Sequence, residues 1–114
     1  MEKHAKVVII GGGVVGCSIL FHLAKFGLKD CILLERSELT SGSSWHAAGN
    51  VHVISSDPNI SKLMAYTIKL YKEIEKTSGH STGFKPSGGF YLASNETWNE
   101  YLKRERSKAR YMGL

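Results

Sequence analysis

Two groups of residues in this chain have types and spacing that could do chemistry. The first is Gly11-Gly12-Gly13-Val14-Val15-Gly16, which satisfies G-x-G-x-x-G, with Glu35 at the end of the next apolar run. That pattern suits a dinucleotide. Gly11 permits a tight turn. Gly13 lacks the Cβ that would hold off a pyrophosphate, and Gly16 lets a helix close against the preceding strand. The helix N-terminus offers free N–H groups and a partial positive charge to phosphates. Glu35 can accept hydrogen bonds from both ribose hydroxyls of an adenosine half. Its charge would repel a 2′-phosphate, which argues against NADP. Alone, the spacing also fits an ordinary glycine-rich turn. What gives it weight is the strand signal before it and the helix signal after it.

The second group is "LTSGSSWHAAGN", Leu39 to Asn50. Small and hydroxyl residues surround one Trp-His pair, so a ligand could come close to the backbone. A neutral imidazole is a competent nucleophile, and His46 is flanked by residues too small to shield it. Read from the loop alone, His46 also fits a packed or solvent-facing histidine. Trp45 could wall a site or pack beneath it. Ser41, Ser43 and Ser44 do not sit in G-x-S-x-G, so they suit hydrogen bonding to backbone or phosphate better than nucleophilic attack. His4, His22, His52 and His80 have no comparable setting and read as structural.

The elements that must position these groups follow from the apolar pattern. "KVVII", Lys6 to Ile10, is a continuous β-branched run, as expected of a strand buried on both faces. Val14 to Phe26 has helical spacing through Val14, Cys17, Leu20, Leu23 and Ala24, and Gly27 suits its C′ position. "CILLE", Cys31 to Glu35, reads as a second buried strand. These make one β-α-β unit, whose crossover should be right-handed. After the small-residue loop, Asp57 suits an N-cap and Pro58 the first helical position. Ile60, Leu63, Met64, Ile68, Tyr71 and Ile74 form the apolar stripe of that helix, and Gly79 closes it. "GFKPSGGFYLAS" reads as a turn leading to a strand at Phe90 to Ala93, within a hairpin or singly. Asn95 or Thr97 then begins a last helix running to the chain end.

At 114 residues the chain is one domain or a piece of one. Its 42% hydrophobic content is enough for a core, and its longest apolar run falls well short of a membrane span. The N-terminus enters a strand at once, which leaves no room for a signal peptide or an Arg-rich transit segment. Cys17 and Cys31 fit neither a disulfide framework nor a metal site, so a reducing compartment is expected. The net charge is +5, much of it in "YLKRERSKARY", Tyr101 to Tyr111. With Glu105 interspersed, that stretch reads as a solvated helix face. No stacking platform, zinc spacing or recognition-helix pattern points to nucleic acid.

"ERSELTSGSSWHAAGN", with "GGGVVG" upstream, resembles the dimethylglycine and sarcosine dehydrogenase branch of FAD-dependent amine oxidoreductases. "AKFGLKDCILLERSELTSGSSWHAAG" looks especially like the first of these, and "SGGFYLAS" more like the second. The resemblance covers essentially the whole chain, and Trp-His-Ala-Ala-Gly is far more specific than the glycine spacing. It implies a Rossmann-like α/β FAD-binding fold of which residues 1–114 are the N-terminal part. Later FAD-binding strands, a substrate domain and any folate domain would lie outside this chain. In that family the motif histidine carries the flavin covalently through the 8α carbon of the isoalloxazine, and the matching position is His46. Other FAD contacts would fall on Val14, Val15, Glu35, Arg36, Gly42, Ser43, Ser44, Trp45, Ala47, Ala48, Gly49 and Asn50, beside the three fingerprint glycines and Gly12.

The implied reaction oxidises an N-methyl amine. Hydride leaves the methyl carbon for the flavin, and water or tetrahydrofolate takes the one-carbon unit. An electron acceptor is required, the catalytic base is not among these residues, and the setting would be cytoplasm or mitochondrial matrix. A non-catalytic regulatory subunit of the same fold is the competing expectation. The Trp-His loop argues against a third, an NAD-linked dehydrogenase.

Overall fold

The computed structural model describes residues 4–113. It consists of two compact units, one ending at Asn50 and the other beginning at Val51. The limits of the expected domain, residues 1 and 114, lie outside the described residues.

The first unit is the β-α-β motif. Strand β1, Val7–Ile10, pairs in parallel with β2, Cys31–Leu34, in the register Val7 to Cys31 through Ile10 to Leu34. Each strand is one residue shorter than the apolar run that marks it. Helix α1, Val14–Lys25, connects them and packs on both. It ends because Gly27 takes φ 87°, a left-handed conformation glycine adopts at little cost. Gly27 N–H then donates to Ala24 O, and Leu28 N–H to Leu23 O, both at 2.9 Å. This is a Schellman closure.

The strands are not buried on both faces as their composition suggests. Ile9 faces α1 and is 7% exposed, whereas Ile10 is 86% exposed. One helix covers one face of a two-stranded sheet, and no other described element lies in that sheet.

The second unit holds α2, Pro58–Ser78, and α3, Glu96–Tyr111. Asp57 caps α2 as expected, its side chain accepting from Asn59 and Ile60 N–H, with Pro58 in the first turn. Gly79, at φ 72°, closes the helix. The predicted stripe is only partly the buried face. Ile60 and Leu63 are exposed, while Leu70 and Ser61 are buried. Ser61 Oγ accepts from Ser55 N–H at 2.9 Å, which ties the preceding segment to the first turn of α2. After α2, Glu75 draws the chain back by accepting from Thr82 N–H and Thr82 Oγ1, both at 2.8 Å. These bonds, the backbone N–H first, hold the Glu75 carboxyl below its ordinary range.

The strand expected at Phe90 to Ala93 does not form. A strand exists through its ladder, and no described segment pairs with this one. Phe90 and Leu92 are 97% and 90% exposed. Of the two proposed starts for α3, Asn95 is the cap, its Oδ1 accepting from Trp98 N–H at 3.0 Å. The helix stops at Tyr111 and does not run to the chain end, because Gly113, at φ 75°, turns the backbone.

Candidate functional site: the glycine turn and the Trp-His loop

Every residue of the candidate site lies in the first unit. The glycine turn supplies its floor. Gly11 takes φ 106°, a conformation that justifies glycine there, and Gly11 N–H donates to Leu34 O at 2.8 Å. A Cβ on Gly16 would strike the Gly11 carbonyl oxygen and would stand 3.4 Å from Ile9 Cγ2. Gly16 thus allows helix and strand to meet as its place in the pattern predicts. Gly13 is the N-cap of α1 and brings no side-chain cap, and the first turn contains no acid. That leaves an end with positive partial charge, capped only by Ser44 Oγ at Val14 N–H.

Gly12 is the junction of the site, which the spacing alone does not reveal. Its N–H donates to Glu35 Oε2 at 2.6 Å. Its carbonyl accepts from Thr40 N–H at 2.9 Å and from Cys17 Sγ at 3.4 Å. Its missing Cβ would lie 2.6 Å from Leu39 Cδ2, so Gly12 is required for packing as well. The other Glu35 oxygen, Oε1, accepts from Ser37 N–H at 3.0 Å. The Gly12 N–H, then that of Ser37, holds the Glu35 carboxyl below the ordinary carboxylate range, with a smaller contribution from the Arg36 charge. Glu35 is therefore a fixed anion near neutral pH. Each of its oxygens keeps a further lone pair for a hydroxyl donor. Arg36 is exposed beside it.

The Trp-His loop folds back onto this floor. Ser44 Oγ accepts from Val14 N–H at 2.9 Å, and a Cβ on Gly13 would meet it at 3.2 Å. A serine hydroxyl thus sits where the first helical donor points. Nested turns carry the chain on: Trp45 N–H donates to Thr40 O at 3.0 Å, and His46 N–H to Ser43 O at 3.2 Å. His46 Nδ1 lies 3.0 Å from Gly42 O. A carbonyl only accepts, so Nδ1 is the donor, and in the neutral ring the lone pair is on Nε2. His46 is exposed, and so is Trp45, at 78%. Trp45 does not wall or underlie the site within this chain. Gly49 takes φ 74°, and Ala47, Ala48 and Asn50 continue the small exposed run. Val15 is also exposed, beside Val14 on the first turn of α1.

A dinucleotide fits what these residues offer. The first turn of α1 contains no acid, Gly13 at its N-cap carries no side chain, and a fixed carboxylate stands at the end of β2. These features define a dinucleotide-binding β-α-β unit joined to a histidine-bearing loop.

The chain belongs to the FAD dependent oxidoreductase family, DAO, whose model matches residues 6–113. Within that family it is 49% identical over 107 residues to human mitochondrial dimethylglycine dehydrogenase, covering 94% of this chain and 12% of that protein. It is 40% identical to human mitochondrial sarcosine dehydrogenase, over 100% of this chain and 12% of that protein. The mouse mitochondrial pyruvate dehydrogenase phosphatase regulatory subunit is 36% identical over 100% of this chain and 13% of its own length. The chain therefore spans about an eighth of these relatives, and its cofactor, as the family implies, is FAD.

Proposed function

We propose that the full-length protein containing this chain oxidises an N-methyl amine such as dimethylglycine or sarcosine, using FAD attached to His46. The observation that carries the proposal is the placement of His46. It sits in a loop hydrogen-bonded to both the glycine turn and the first donor of α1, with its Nε2 lone pair free. Similarity to dimethylglycine and sarcosine dehydrogenases along almost the whole chain supports the substrate class.

When bound, FAD supplies a two-electron acceptor for hydride from the N-methyl carbon. The residues of this chain bind and orient it. Gly11 turns the chain, Gly12 and Gly16 let the loop and the helix close on it, and Gly13 would leave room for the pyrophosphate beside Val14 and Val15, where the positive end of α1 would meet its charge. Glu35 accepts from ribose hydroxyls, with Arg36 next to it. Gly42, Ser43, Ser44, Ala47, Ala48, Gly49 and Asn50 would line the path of the ring system to His46, with Trp45 exposed beside it. The Gly42 carbonyl keeps the proton on Nδ1, so Nε2 is the attachment atom. A covalent bond prevents loss of the cofactor and raises its potential as an acceptor. The amine, its electron acceptor and any tetrahydrofolate would be bound by residues outside this chain, and the setting is mitochondrial matrix or cytoplasm.

A second reading, a non-catalytic regulatory subunit, is favoured by the similarity to the mouse regulatory subunit. The intact glycine turn and His46 favour the enzyme. Anaerobic mixing of the purified protein with dimethylglycine or sarcosine separates the two. Bleaching of the visible flavin band by either amine is expected of the enzyme. A flavin unchanged by both, or a protein without flavin, would refute it.

A further inference from the structure

Among the described residues, Thr40 is the only non-glycine residue with positive φ, at 65°. A β-branched residue there is a genuine outlier, since its Cβ crowds the backbone. Its side chain does not explain it: the hydroxyl makes no hydrogen bond among the described residues, and the residue is exposed. Its backbone is held at both ends. Thr40 N–H donates to Gly12 O at 2.9 Å, and Thr40 O accepts from Trp45 N–H at 3.0 Å. The first bond fixes the loop to the glycine turn. The second fixes the residue that precedes His46. The direction in which His46 leaves the turn is therefore set by the left-handed kink at Thr40.

We propose that Thr40 is a positioning residue, whose strained backbone aims His46 Nε2 for attachment to the flavin. This rests on the attachment proposed above. In that attachment a C–H bond of the flavin 8-methyl group breaks and a bond to Nε2 forms. One proton and two electrons leave the methyl carbon; dissolved dioxygen takes the electrons with that proton and one from water, giving hydrogen peroxide, and the alkylated imidazole is left as an imidazolium. Nδ1 keeps its proton toward Gly42 O throughout. Strain of this kind persists only where surrounding contacts over-determine it, and it gathers where geometry matters for function.

The test is a substitution series in the full-length protein, reading the covalent share of total bound flavin after acid precipitation, and its rate of formation when apoprotein is mixed with FAD. Thr40→Gly and Thr40→Asn, which accept positive φ, should attach flavin at least as fast as the natural protein. Thr40→Ile, with a bulkier branched side chain and the same backbone donors, should be roughly tenfold slower. Thr40→Pro, which forces φ near −65° and removes the donor to Gly12, should bind FAD without attaching it. If Thr40→Pro fails to fold, the asparagine and isoleucine variants decide. Equal attachment across the series, or its loss in the glycine variant, would overturn the proposal. Flavin wholly released by the natural protein would instead refute the attachment itself.

Discussion

At the scale of single residues, the site depends on side chains that are absent and on one that is fixed. Gly13→Val should abolish flavin binding, because a branched side chain fills the space of the pyrophosphate. Its Cβ would meet only the Ser44 hydroxyl, at 3.2 Å, so the fold should survive. Flavin content and circular dichroism of the full-length variant check this, and flavin retained at the natural level would show the turn misread. Glu35 gives a prediction with a definite sign. Its carboxyl is held below the ordinary value of 4.5 by the Gly12 and Ser37 N–H groups. The stability it contributes is therefore present above that value and lost as pH falls through the lower, folded one. Glu35→Gln should flatten the fall in melting temperature below about pH 4.5, and should weaken FAD binding roughly tenfold through loss of a charged acceptor. Melting curves across acid pH, with FAD titration, measure both.

At the scale of elements, the β-α-β unit and the two later helices were legible because their boundaries have local causes. Gly11 and Gly27 take positive φ where the chain turns, and Asp57 and Asn95 cap the helices they precede. Asn95→Ala should cost about 1 kcal/mol of α3 stability, so amide exchange at Trp98 should quicken about fivefold, and an unchanged rate would mean that the cap is idle. What was not legible depends on partners distant in sequence. The apolar alternation at Phe90 to Ala93 is real, but a strand needs a neighbour, and none is described. "KVVII" has the composition of a strand covered on both faces, yet one face of it is open. Ser61 was missed because a serine inside an apolar stripe gives no sign that its hydroxyl receives Ser55 N–H. Within the site, the glycines, Glu35 and the His46 loop were named from sequence, whereas Thr40 could not be. A β-branched residue is a poor candidate for positive φ, and only the two bonds that hold its backbone reveal why it adopts it.

At the scale of the whole molecule, the 114-residue chain presents much apolar surface. Ile10, Phe90 and Leu92 are almost fully exposed, as are Phe26 and Trp45 to a large degree. The 114-residue polypeptide by itself should therefore self-associate and, on the proposal that residues outside this chain complete the site, hold FAD weakly. Size-exclusion chromatography with flavin fluorescence tests this. A monomer that binds FAD at sub-micromolar affinity and oxidises sarcosine or dimethylglycine would show that these residues form a complete small enzyme.

The claim on which the rest depends is that His46 carries the flavin. It is tested most directly by precipitating the full-length protein with acid, digesting the pellet and sequencing the fluorescent peptide. The flavin should stay with the polypeptide, on the peptide containing Trp45-His46-Ala47-Ala48-Gly49, and His46→Ala should release it while leaving bound FAD measurable before precipitation. Flavin recovered entirely in the acid supernatant of the natural protein, or attached to a peptide without His46, would contradict the account.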